Sequence, residues 1–69
     1  MIELISVVSG KVQEINIKVG DTISEDDEAI IIEAMKMETV IYGENGTVKE
    51  ILVNVGDMVE EDQVLATVE

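Results

Sequence analysis

The chain has no cysteine, histidine, arginine or proline, and Tyr42 is its one aromatic residue. Without cysteine there is no disulfide, no thiolate metal site and no thiol nucleophile. Without histidine the usual general base and the commonest metal ligand are missing. Serine occurs at Ser6, Ser9 and Ser24, with no imidazole to activate any of them. An independent catalytic centre is therefore not expected. Positive charge is scarce: four lysines stand against 16 acidic residues, for a formal net charge of -12. A surface this acidic cannot neutralise phosphates, which argues against nucleic acid and against an anionic membrane. No apolar run approaches the roughly 18 residues that mark a membrane helix, and no basic segment precedes an apolar stretch at the N-terminus. A monomeric protein of the cytoplasm is the expectation.

Valine and isoleucine dominate what is present, at 21 residues against three leucines. β-Branched side chains suit a pleated, half-buried surface. At 69 residues the chain forms one domain, near the size at which burial alone sustains a fold.

The chain also contains itself twice. Residues 10–33 align without a gap on residues 46–69, at an offset of 36. Gly10, Val12, Glu14, Ile15, Val19, Gly20 and Asp21 meet Gly46, Val48, Glu50, Ile51, Val55, Gly56 and Asp57. Further on, Glu25, Asp26 and Glu33 meet Glu61, Asp62 and Glu69. Such self-similarity implies two like halves that must pack on each other.

Each half reads as a run of strands. Ile2–Val8 opens the first half and Met37–Ile41 the second. Lys11–Val19 and Thr47–Val55 follow, with apolar residues at Val12, Ile15, Ile17 and Val19 and at Val48, Ile51, Val53 and Val55. The one-residue slip after Val12 and Val48 in an otherwise alternating pattern predicts a β-bulge in both copies. Gly20-Asp21 and Gly56-Asp57 are turns, short strands follow at Ile23 and Val59, and acidic turns follow those. Ala29–Glu33 and Val64–Val68 close the units, with Ile31 expected in the core. Asn45-Gly46 has the signature of a tight turn. Asp27–Val40 is long enough for a helix, but its Ala29-Ile30-Ile31-Ile32 block favours a strand. The expected fold is all-β: a flattened barrel or sandwich of two four-stranded antiparallel sheets with quasi-two-fold symmetry.

At the joint between the copies lies Glu33-Ala34-Met35-Lys36-Met37-Glu38. Between two strands this is a hairpin with Lys36 near its tip. Most surface lysines are merely solvated, and methionines at strand ends can cap a core. A solitary cation between two thioethers, where core packing constrains nothing, reads instead as a displayed amine.

This segment resembles the biotin attachment motif of biotinyl domains such as biotin carboxyl carrier proteins, and the resemblance extends over the whole doubled chain, residues 1–69. It implies biotin amide-linked to Lys36, with Glu33, Ala34, Met35 and Met37 recognised by a biotin protein ligase. It implies attack of the Lys36 amine on biotinyl-AMP. Only a neutral amine is nucleophilic, so the resemblance leaves deprotonation to the ligase. It further implies a non-catalytic carrier between a biotin carboxylase and a carboxyltransferase or decarboxylase, the acceptor being an acyl-CoA or a keto acid. Glu33, Glu38 and Glu60 are candidates for docking a basic ligase surface. The chain departs from the family in lacking an Ala/Pro-rich linker, so it is either free-standing from Met1 or an excised domain. It carries Val7-Val8-Ser9-Gly10 where relatives have a Pro-Met-Pro-Gly-like stretch. The gapless repeat implies no inserted thumb and free mobility of the biotin.

Two other readings stand beside this one. Lipoyl carriers of dehydrogenase complexes share the layout but usually carry Asp-Lys-Ala at the tip. An unmodified β-hairpin module that only mediates assembly is the other. The clusters Glu25–Glu28 and Glu60–Asp62 lack the EF-hand spacing and read as solvated turns.

Overall fold

The computed structural model describes all residues 1–69. It contains eight strands and no helix: β1 (Ile2–Ile5), β2 (Gly10–Ile15), β3 (Thr22–Ile23), β4 (Glu28–Ala34), β5 (Met37–Tyr42), β6 (Gly46–Ile51), β7 (Met58–Val59) and β8 (Val64–Val68). They form two four-stranded antiparallel sheets ordered β1-β8-β6-β3 and β5-β4-β2-β7. Each sheet takes two strands from either half of the chain. Neither half has a sheet of its own, so neither can bury its apolar face alone.

Pairing repeats with the sequence. Val12 faces Ile32 and Glu14 faces Ile31, as Val48 faces Val68 and Glu50 faces Thr67. Gly10 faces Val59 as Gly46 faces Ile23. β1 is the twin of β5 at an offset of 37 rather than 36: Leu4 pairs with Ala66 as Ile41 pairs with Ile30. The difference is absorbed before β2, where residues 6–9 do in four positions what residues 43–45 do in three. The loop 6–9 is fixed by the buried Ser6, whose hydroxyl donates to the Val8 carbonyl at 2.6 Å, and by Ser9 Oγ, which accepts from the Glu61 amide at 3.1 Å.

The core obeys the same symmetry. Leu4, Val12, Ile17, Ile23, Ala29, Ile30 and Ile32 are buried together with their twins Ile41, Val48, Val53, Val59, Leu65, Ala66 and Val68. Where the first copy has Ala29-Ile30 the second has Leu65-Ala66, which exchanges small for large while keeping total volume close, as a close-packed interior tolerates best.

Both bulges are present, between Val12 and Glu14 and between Val48 and Glu50. They leave Gln13 and Lys49 as the extra, unpaired residues. Beyond Ile15 and Ile51 the chain departs from its strand, earlier than the apolar pattern implied. The Gly-Asp turns bond across the halves instead. The Gly20 amide donates to the Val48 carbonyl, and the Gly56 amide to that of Val12. Asp21 and Asp57 carboxylates accept from the Lys18 and Asn54 amides at 2.9 and 2.8 Å. As a result Val19 and Val55, expected to point inward, are each 63% exposed.

Three further expectations are corrected. β1 ends at Ile5, where the chain turns into the Ser6 loop. Ile31 is half-buried, because alternation along β4 turns Ile30 and Ile32 into the core and Ile31 outward. Asn45-Gly46 is not a hairpin turn: it carries the chain from one sheet to the other, since β5 and β6 belong to different sheets. Gly46 is needed there for space. It has φ 151°, and a Cβ on it would lie 2.5 Å from the Glu69 carbonyl oxygen. The acidic turns are self-capped, with the Asp27 carboxylate accepting from the Ser24 amide at 2.9 Å and Gln63 Oε1 from the Glu60 amide at 3.0 Å.

Candidate functional site

β4 and β5 form the longest ladder of the fold, from Glu28 opposite Tyr42 to Ala34 opposite Met37. That register leaves Met35 and Lys36 as a two-residue turn. Both have positive φ, at 54° and 63°. Positive φ at both central positions is the signature of a type I′ turn, the geometry that matches strand twist. Asn-Gly is the pair that normally fills it. Holding two ordinary L-residues in the left-handed region costs about 1–2 kcal/mol each. The ladder below supplies the constraint, so the tip is strained but over-determined. Met35→Asn is accordingly expected to stabilise the domain by about 1 kcal/mol, a rise of roughly 4–8 °C in Tm for a chain this size. Thermal unfolding followed by circular dichroism measures it.

The tip stands clear of the protein. Met35 is 94% exposed and Met37 70% exposed. Neither thioether caps the core, which removes the packing explanation for the pair. Lys36 is exposed and makes no ion pair, the structure's one salt bridge being Lys49–Glu69 at 3.6 Å. An unpaired, outward amine on a fixed root is a group that a second protein can reach and acylate. No neighbouring side chain competes for it, so the site accommodates an amide-linked prosthetic group.

The remaining motif residues have separate surroundings. Ala34 is half-buried against Gly10: a Cβ on Gly10 would lie 3.1 Å from the Ala34 Cβ. Its small size thus has a packing reason beside Gly10 of β2. Glu33 and Glu38 are directly opposed across the hairpin, both exposed. Like charges in that relation are unfavourable. Gln13 relieves this, its amide Nε2 donating to Glu38 Oε2 at 2.7 Å. β7 ends at Val59 opposite Gly10, so Glu60, also exposed, follows at the hairpin end of the same sheet. Gln13 escaped the sequence reading. Its signal was its position as the extra residue at the phase slip, where a side chain is freed from the ladder.

The family model for "Biotin-requiring enzyme" matches residues 1–68. A search of curated proteins finds no match. Among solved structures, urea carboxylase of Kluyveromyces lactis superposes with a TM-score of 0.88 at 38% identity, over 97% of this chain and 6% of that one. A single-chain, multi-domain long-chain acyl-CoA carboxylase superposes with a TM-score of 0.85 at 25% identity, over 93% of this chain and 7% of that one. The chain thus corresponds to a small part of each of these large enzymes. With an all-β fold of two interleaved sheets and a family match over nearly its whole length, the chain belongs to the biotin-requiring enzyme family.

Proposed function

We propose that this chain is a biotin carboxyl carrier, with biotin amide-linked to Lys36 Nζ, serving a biotin carboxylase and a carboxyltransferase or decarboxylase. The observation that carries the reading is the exposed, unpaired Lys36 on a strained two-residue turn between two exposed methionines. Bound biotin supplies a ureido nitrogen able to take up and release a carboxyl group. The chain supplies the rest. The β4–β5 ladder fixes the root of the arm, so the reach of the arm is set by the lysyl side chain and not by a flexible loop. Tethering raises the local concentration of the carried group to the order of millimolar when both sites are spanned. Glu33, Glu38 and Glu60 give the tip a negative collar, which steers a basic ligase surface toward it. Neither acid, base nor metal is asked of this domain.

Intact-mass analysis of the protein co-expressed with a biotin protein ligase tests the proposal. The expected result is one biotinyl group per chain and a streptavidin-positive band. Modification by a lipoate ligase and not by a biotin ligase would assign the domain to lipoyl carriers. No adduct with either would leave a hairpin assembly module.

A further inference from the structure

The internal symmetry provides a control for the surface beside the hairpin. Gln13 and Lys49 are twins, and so are Glu33 and Glu69. On the second copy, Lys49 reaches Glu69 at 3.6 Å. On the first copy, Gln13 is drawn instead to Glu38 at 2.7 Å. There a cleft of about 310 Å³ opens, lined by Lys11, Val12, Gln13, Glu33, Val55 and Gly56. The same backbone is closed at one site and open at the other, and the open one adjoins the hairpin.

The chemistry of the cleft is specific. Lys11 and Glu33 are direct cross-strand partners, yet their charges form no ion pair within 4.0 Å. Both residues line the cleft, which thus has an ammonium and a carboxylate at hand that do not neutralise each other. Val55, 63% exposed, offers an apolar wall supplied by the Gly-Asp turn of the other half. A cyclic urea presents one carbonyl acceptor flanked by two diverging N–H donors. A carboxylate accepts from one of these donors, an ammonium beside it donates to the carbonyl, and an aliphatic wall covers the ring. Glu33 lies three residues before Lys36 on the same hairpin, at most ~10 Å along the chain at about 3.3 Å per residue. The lysyl and valeryl chains together exceed that span.

We propose that Lys11, Glu33 and Val55 form a resting site for the ureido ring of the biotin on Lys36, so that the arm is parked on its own domain between encounters. This rests on the carrier reading above, and it replaces the freely mobile arm expected from the absence of a thumb. Glu33 accepts from one ureido N–H and Lys11 donates to the adjacent carbonyl, while Gln13 keeps the cleft open through Glu38.

The test is nuclear magnetic resonance of the ¹⁵N-labelled protein with and without its biotin, the adduct first verified by intact mass. If the ring rests in the cleft, biotinylation shifts the amides of Val55 and Gly56 as strongly as those of the hairpin. Nuclear Overhauser contacts then join the ring protons to the Val55 methyls. Gln13→Lys reproduces the Lys49–Glu69 bridge on the hairpin side, and in its biotinylated form those shifts and contacts should vanish. Lys11→Met is the second variant and should weaken them at least severalfold. Shifts confined to residues 33–39, with no contact to Val55, would overturn the resting site while leaving the carrier reading intact. An unmodified wild-type mass would overturn both.

Discussion

Lys36→Arg is expected to fold like the parent and to take up no biotin at all. The side chain is exposed and unpaired, so its replacement removes no contact. The left-handed turn costs arginine no more than lysine, and surface substitutions of this kind usually change stability by less than about 0.5 kcal/mol. Acylation, in contrast, needs a neutral nitrogen with a free pair. The guanidinium stays charged and delocalised over the accessible pH range and is a poor nucleophile. The other three lysines serve as internal controls. Lys49 is engaged by Glu69, Lys11 lies within β2, and Lys18 precedes the Gly20 turn. None stands on a two-residue hairpin between exposed methionines. Intact mass after co-expression with the ligase reads the result directly. A biotinylated Lys36→Arg protein would move the acceptor to one of those three, and the significance attached to the hairpin would go with it.

Much of this architecture was legible because it was written twice. One phase slip after a valine is weak evidence for a bulge. The same slip at Val12 and Val48 is strong, and both bulges are there. The hairpin followed from its position between strands, and the Met-Lys-Met tip from its chemistry. Less legible were features decided by tertiary competition. Val19 and Val55 continue an apolar alternation, but the amides of Gly20 and Gly56 are claimed by the opposite half, which pulls the chain out of its sheet before those valines can turn inward. Ile31 sits in a run of three isoleucines that carries no alternation to read, so only the register shows that Ile30 and Ile32 take the core. The open cleft was hidden for the opposite reason: Gln13 and Lys49 occupy equivalent backbone positions, and their different partners, Glu38 and Glu69, become apparent only when the strands are paired.

Ile32→Ala should be the most damaging conservative truncation in the hairpin strands, costing about 2–5 kcal/mol. A chain of this length has a total stability of roughly 3–10 kcal/mol by the usual per-residue range, with no disulfide to limit the loss. Ile32 is fully buried and pairs with Val12 on one side and Thr39 on the other. Its Cγ2 also fills the space that Gly10 leaves free. The cavity therefore opens where β2, β4 and β5 meet, and neither sheet can close over it without breaking the symmetric packing of the other. Ile31→Ala, one residue away on the outer face, should cost about 1 kcal/mol or less, since the side chain already meets water. Urea unfolding of the two variants, with unchanged m-values, separates them. Equal losses at both positions would contradict the register of β4. Because Ile32 lies just before Glu33, its truncation should also loosen the stem that holds the turn. Reduced biotinylation of a still partly folded Ile32→Ala, set beside normal biotinylation of Ile31→Ala, would link core packing to display of the amine.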